Sequence, residues 1–435
     1  MVMVARRSAW WQICWGSALR YSVADARQQG LGAGDCVLFS TADWDEPYWT
    51  NKQHTARVLA QRGWRVLYVE SPGLRAPKLA SGKDWARIWR RLWSGLRSNF
   101  IGPPQREKNI WVLSPLMFPA KHHWPLVRRF NQSLLKLSVS RFARRHRFTE
   151  TVVWTYHPFM LETVENLPRG PLVYHCVDDL AAIPGVDVAA FNRAQEVLLR
   201  LSDAVFTTAV ALRDHCLAFN ANTHYFANVV DAQHFGRALD AGPLPPDLAA
   251  IPGPRLVYHG VLSDFKVDFP LILAAARSRP DWQWVFIGEE REGQRSELVS
   301  QLKELPNFHF LGYRSYEELP VYLRGMDVGL LPTLLNSYTR SMFPMKFFEY
   351  LAAGLPVVST PLDFTRDQSG GLAVGGTTET FVAAIEQQLQ RGKLTPDESQ
   401  AYVGDNTWDA RTVKMLDYVW RGTPRMNPAQ AASEH

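Results

Sequence analysis

The chain has 435 residues, 46% of them hydrophobic and 21% charged, which is long enough for two domains with separate cores and too apolar for a disordered chain. Its four cysteines, Cys14, Cys36, Cys176 and Cys216, are scattered without a CxxC pair, which speaks for a reducing compartment and against a disulfide framework or a zinc site. The net charge of +6 hides an asymmetry: residues 1–150 hold 25 Lys and Arg against 9 Asp and Glu, a net of +16, whereas the rest holds 23 against 33, a net of −10. A basic half of this kind seeks an anionic surface, either nucleic acid or membrane headgroups.

Near the start, SAWWQICWGSALRY is short, interrupted by polar residues and without a small-residue cleavage signal, so a secretory peptide is not expected. No window holds the run of about 18 apolar residues that a spanning helix needs. CVLFS at 36–40 then reads as a buried strand, followed by a helical stretch from Trp49 to Arg62 and a second strand, RVLYVE, at 65–70. The alternation continues through NIWVLS, TVVWTY, LVYHCV and AVFTTA, which predicts a parallel doubly wound sheet. Residues 238–254, ALDAGPLPPDLAAIPGP, carry five prolines and few periodic apolar positions, and they read as a linker. Beyond them RLVYHGVL, WQWVFIG, NFHFLG, MDVGLL and LPVVST repeat the pattern. The sequence therefore divides into a first Rossmann-like domain over 1–238, a second over 255–405 and a terminal helix over 406–422. Two such sheets in tandem face each other across a cleft at their carboxyl edges, where open α/β sheets bind ligands.

Two basic stretches lie in the first half. In DWARIWRRLWSGLR, Trp85, Ile88, Trp89, Leu92, Trp93 and Leu96 recur at spacings of 3 and 4, with arginines on the remaining faces. Aromatic rings and arginines on one amphipathic helix match a helix lying in a membrane interface, with Trp85, Trp89 and Trp93 entering it. A second basic helix is expected from Trp124 to Arg147. Stacking of nucleic-acid bases calls for aromatics on strands or loops, and these sit at helical spacing, so nucleic acid is not the expected partner.

The chemistry concentrates in NSYTRSMFPMKFFEYLAAGLPVVSTP, residues 336–361. Pro344 suits a helix start, Phe347, Tyr350 and Leu351 share one face, and Gly354 and Pro356 end the helix before a short β-branched strand. Lys346 and Glu349 are thereby delivered to a helix N-terminus, a setting that favours a bound phosphate. This stretch resembles the nucleotide-sugar signature of GT-B-type glycosyltransferases, and specifically the bacterial teichuronic-acid and xanthan-type exopolysaccharide enzymes. The resemblance implies an α/β fold of two doubly wound Rossmann-like domains facing a cleft. It also implies a nucleotide-sugar donor, favouring a UDP-sugar, held by Ser263, Lys266, Tyr338, Met345, Lys346 and Glu349, and a terminal helix that crosses back to the first domain. Many retaining relatives carry two glutamates eight positions apart, and the earlier position is Ser341 in this sequence. The arginine that many relatives carry after the glycine of the loop at 260–269 is Val261.

In the first domain LVYHCV ends at Asp178 and Asp179, two carboxylates at the cleft edge of a strand. By resemblance to the xanthan-type glucuronosyltransferase, Asp178 matches the general base that an inverting transfer requires, because an acceptor hydroxyl is a poor nucleophile until its proton is removed. Asp43-Trp44-Asp45 matches a metal-binding Asp-x-Asp only formally. The two-domain class offsets diphosphate charge with Lys, Arg and a helix dipole, so no metal is expected. Asp45, Asn51 and His157 are placed by position on the acceptor side. The resemblance implies a peripheral enzyme on the inner face of the cytoplasmic membrane, with a lipid-linked saccharide as acceptor. A non-enzymatic nucleic-acid binder, or an epimerase or phosphorylase of the same fold, is the alternative.

Overall fold

The computed structural model describes residues 33–71, 95, 98, 102–115, 125–164, 167, 170–183, 186–290, 296–340, 342–368 and 370–422. The helix expected around Trp85, Trp89 and Trp93 lies outside the described residues. Valine, isoleucine, leucine and phenylalanine runs, buried on both faces, form two sheets. The first contains β1 (Asp35–Phe39), β2 (Arg65–Val69), β3 (Gln105–Glu107), β4 (Ile110–Leu113), β5 (Val152–Thr155), β6 (Leu172–Cys176), β7 (Ala204–Thr207) and β8 (Thr223–Tyr225), in the order β3-β4-β2-β1-β5-β6-β7-β8. Only the β3–β4 pair is antiparallel. The second sheet, β11-β10-β9-β12-β13-β14, contains β9 (Arg255–His259), β10 (Gln283–Ile287), β11 (Phe308–Gly312), β12 (Val328–Leu331), β13 (Val357–Ser359) and β14 (Leu372–Val374). All its pairs are parallel. This is the two-sheet GT-B architecture.

Helix α1 (Asn51–Gln61) follows β1, started by Thr50, whose N–H donates to the Gln53 side chain at 3.1 Å. Helix α2 (Pro125–Arg145) precedes β5 and buries Leu135, Val139 and Phe142 beneath the first sheet. In the second domain the short helices α3 (Phe269–Ser278) and α4 (Lys346–Ala352) follow β9 and precede β13. Phe347, Tyr350 and Leu351 all bury one face of α4, and Gly354, at φ +76°, ends it as the Leu355 N–H returns to the Tyr350 carbonyl at 2.9 Å. The proline-rich segment is not a free linker. Phe235, Ala238, Leu248 and Ile251 pack into the second core, so the chain changes domain earlier, just after β8.

Helix α5 (Trp408–Gly422) packs against α1. His54 stacks on Trp408 with centroids 4.3 Å apart, and His224 stacks on Tyr418 at 3.8 Å. The chain thus passes between the domains twice, and the two passes run side by side: Val230 donates to the Asn406 carbonyl at 3.0 Å and accepts from the Trp408 N–H at 3.4 Å.

Beside these passes lies a buried polar knot. Arg411, 3% exposed, donates to the Asn51 side-chain oxygen at 2.7 Å and to the Ala227 carbonyl at 3.1 Å. Asn51 donates in turn to Asn228 at 2.9 Å, and Asn228 donates to the Phe343 carbonyl at 2.5 Å. A first-domain helix, the crossover, the terminal helix and the loop before α4 are therefore one hydrogen-bonded unit. Nearby, Arg62 pairs with Asp409 through two contacts of 2.7 and 2.5 Å at an exposed site.

These two arginines separate burial from charge. Arg411→Ala leaves the buried Asn51 oxygen and the half-buried Ala227 carbonyl without their donor and should cost about 3 kcal/mol, whereas Arg62→Ala should cost under about 1 kcal/mol. Urea unfolding midpoints of the two variants measure the difference, and equal losses would mean that the knot contributes no more than a surface pair.

Candidate active site

On the second-domain side of the cleft, β9 and β10 end at Gly260 and Gly288, with φ of +121° and +150°. A Cβ on Gly288 would lie 1.9 Å from the Gly260 carbonyl oxygen, and one on Gly260 would lie 2.7 Å from Lys346 Cε. Only glycine lets the two strand ends meet beneath the Lys346 side chain. The loop from Ser263 to Asp268 is folded on itself, since the Ser263 carbonyl accepts from Lys266 and Val267 at 2.9 and 2.8 Å. It is strapped to the loop after β12 by the Leu334 N–H on the Lys266 carbonyl at 2.9 Å and by Asn336 on the Phe265 carbonyl at 2.8 Å. Lys266 is thereby fixed, its ammonium 5.1 Å above the Tyr338 ring.

Lys346 lies 5.4 Å from the centre of the Tyr258 ring, and burial lowers its pKa, with Glu349 opposing and Lys266 reinforcing the shift. Burial pushes the Glu349 carboxyl up to about 7, against the pull of Lys346. His259 Nε2 sits 3.3 Å from Glu349, but burial, and secondarily Lys346, hold the imidazole well below its usual range. That contact is between a neutral ring and the carboxyl, not an ion pair. Lys266 and Lys346 offer a ligand cationic charge on this side. A cavity of about 370 Å³ lies at the sheet edge beside Gly288, lined by Leu262, Glu289, Glu290, Lys303 and Phe310 among others.

On the first-domain side, β6 runs out to Asp178. Its turn is held by the Leu180 N–H on the Asp178 carbonyl at 3.0 Å and by Thr208 on the Val177 carbonyl at 2.7 Å. Tyr338, from the second domain, donates its hydroxyl to Asp178 Oδ1 at 3.3 Å. Burial, followed by the charge of Asp178, raises the Tyr338 hydroxyl far above its usual range, and Asp179 adds to the shift. Asp178 thus stands across from Lys266, with Tyr338 between them.

The structure brings together Asp178, Asp179, Tyr338, Lys266, Lys346 and Glu349, with Ser263 in the supporting loop. Met345 turns the other way and packs against Val58, Val229 and Trp408 at the crossover. The residues expected on the acceptor side have other occupations. Asp45 accepts from Arg106 at 2.8 Å at an exposed position, and both ends of the Asn51 amide are used in the polar knot. His157 is buried, its Nδ1 accepts from the Phe159 N–H at 3.2 Å, and burial takes its pKa down to about 4. In Asp43-Trp44-Asp45, Trp44 is buried and its N–H donates to Glu70 at 2.9 Å. Among the described residues no group of three or more His, Cys, Asp or Glu could hold a metal ion. One cleft residue escaped the sequence reading: Lys52, in the first turn of α1. Its signal was a cation at a helix start with no acid in the first turn, where an acid is favoured.

Residues 254–391 match a family model described as glycosyl transferases group 1. The match spans all six strands of the second sheet. The domain contains every second-domain residue of the site, from Ser263 to Glu349. TuaH of Bacillus subtilis (strain 168), named for teichuronic acid biosynthesis, is 30% identical over 183 residues, which are 40% of this chain and 46% of that relative. The chain thus matches just under half the length of that relative. Among solved structures, sucrose-phosphate synthase from Thermosynechococcus elongatus is similar with a TM-score of 0.60 and 15% identity, over 92% of this chain and 100% of that one. Anabaena HepE in complex with UDP and glucose is similar with a TM-score of 0.55 and 14% identity, over 92% of this chain and 99% of that one. These similarities concern the fold of the whole two-sheet architecture.

The buried glutamate of the domain makes stability depend on pH. Because Glu349 titrates near 7 in the fold and near 4.5 when exposed, the folded chain holds its proton more tightly, and stability should fall as pH rises from about 4.5 to 7. Glu349→Gln should flatten that fall. Melting temperatures of both proteins at pH 5 and pH 7 give the comparison, and parallel slopes would mean that Glu349 ionises as an ordinary carboxylate.

Proposed function

We propose that the chain is a metal-independent glycosyltransferase that moves a sugar from a nucleotide-sugar donor to a saccharide acceptor, with inversion and with Asp178 as general base. The observation that carries the reading is the opposition across one cleft of Asp178 in the first domain and Lys266, Lys346 and Tyr338 in the second. The two lysines offset the charge of a nucleoside diphosphate leaving group, each through charge-assisted contacts of about 1.5–3 kcal/mol. The cavity beside Gly288 accommodates the nucleoside. Asp178 removes the proton from the attacking hydroxyl, and Tyr338, which occupies that carboxylate in the free protein, yields it to the acceptor. Support for a UDP-sugar comes from the UDP in the HepE complex, and support for cell-surface polysaccharide synthesis comes from the similarity to TuaH.

The acceptor in this reading is lipid-linked, and the enzyme works at the inner face of an anionic membrane. Helix α2 carries six Lys and Arg and no Asp or Glu, and Phe130 and Leu137 on its outer face are 57% and 59% exposed. Apolar side chains among cations suit an anionic lipid surface, where each arginine contributes about 1 kcal/mol. Among the described residues no helix is long and apolar enough to cross a membrane.

Asp178→Asn should leave UDP affinity by calorimetry within threefold of the parent and lower turnover at least about a hundredfold, because the proton transfer alone is lost. Near-normal turnover, or a product of retained anomeric configuration by NMR, would remove Asp178 from the role. For the membrane, the protein should sediment with vesicles containing anionic phospholipid, release as salt rises and bind neutral vesicles poorly. Phe130→Ser with Leu137→Ser should halve the bound fraction or better at unchanged melting temperature, and full retention would place the contact elsewhere.

A further inference from the structure

Lys52 occupies a position that stability alone does not favour. It is the second residue of α1, where the helix presents its partial positive charge and N–H groups that no helical carbonyl can reach. The residue is 7% exposed, and its amine lies over the Tyr156 ring, 5.7 Å from the centroid. Among the described residues no carboxylate lies within ion-pair distance of that amine and no hydrogen bond reaches it. Burial lowers its pKa, Asp178 opposes the shift and Lys266 adds to it, so the amine faces the first-domain carboxylate and the second-domain lysine together. A largely buried cation held only by a ring face is costly, and a cation at the positive end of a helix more so. Both penalties vanish when an anion binds between the amine and the helix.

The donor diphosphate, on the reading given above, has Lys266 and Lys346 on the second domain. Lys52 projects from the other domain, on the side of Asp178, where the acceptor hydroxyl must sit to lose its proton. We propose that Lys52 and the first turn of α1 form an oxyanion site on the first-domain side of the cleft, which takes a phosphate or carboxylate group of the acceptor. The proposal rests on the cleft being the site of transfer. It makes Lys52 a determinant of acceptor choice: a neutral acceptor leaves the cation unpaired, and an anionic one satisfies it.

The test titrates inorganic phosphate at constant ionic strength into the full chain, with and without saturating UDP, and follows the melting temperature, which rises when a ligand binds the folded state. The parent and Lys52→Arg should show a phosphate-dependent rise in the presence of UDP, and Lys52→Met should show none. In phosphate-free buffer Lys52→Met should melt above the parent, because the unpaired cation is gone, and its UDP affinity should stay within threefold. A parent without any phosphate-dependent rise overturns the site, as does a Lys52→Met protein that retains the rise. A lower melting temperature for Lys52→Met makes the amine structural, and a tenfold loss of UDP affinity assigns the anion to the donor diphosphate instead. If the parent fails to bind UDP, the transfer reading fails by itself, and the nucleotide-free phosphate arm still decides whether Lys52 holds an anion.

Discussion

The arrangement of the cleft depends on a single buried guanidinium. Among the described residues Arg411 has no carboxylate partner; its two terminal nitrogens donate to a backbone carbonyl, Ala227, and an amide oxygen, Asn51, while its Nε makes no hydrogen bond. Breaking that arrangement strands polar atoms in a dry interface, which costs more than any exposed ion pair returns. The consequence reaches the chemistry through Asn228, because its second hydrogen bond holds the carbonyl of Phe343, three residues before Lys346. The position of the second-domain lysine is therefore tied to the start of α1, and so to Lys52. Groups contributed by two separate sheets are set against each other by one polar cluster.

Within that frame the electrostatics of the cleft are one-sided. Burial pushes Glu349, the carboxyl that could have balanced the lysines, towards its protonated form and leaves His259 uncharged. Lys266, Lys346 and Lys52 are left facing a space in which Asp178 supplies the opposing charge. A cleft of this composition favours the entry of an anion.

The strands were legible because a parallel sheet buried on both faces writes long apolar runs, and CVLFS, LVYHCV and WQWVFI mark their strands within a residue or two. The short edge strands β3, β8 and β14 were not, since three residues are too few to show a period. Five prolines made residues 238–254 look like a tether, yet Leu248 and Ile251 among them are buried, and composition does not report packing. Asp178 and Lys346 could be read because strand ends and helix starts have local signatures. The occupations of Asn51 and His157 could not. Asn51 is committed to Asn228 and Arg411, 177 and 360 residues away in sequence, and His157 lies under its own turn, where a ring at the cleft edge is indistinguishable from a buried one. Lys52 remained hidden for the opposite reason: a lysine near a helix start is ordinary at a surface and becomes informative only once it is known to be buried.

The two chain passes beside Val230 govern how the domains can move. A single crossing strand behaves as a swivel and leaves twist as free as bend, whereas two strands bridged side by side, Val230 to Asn406 and Trp408, resist rotation about their common direction and still flex across it. Any hinge bending of the two domains would therefore run across the paired passes rather than about them, like a door on two pins.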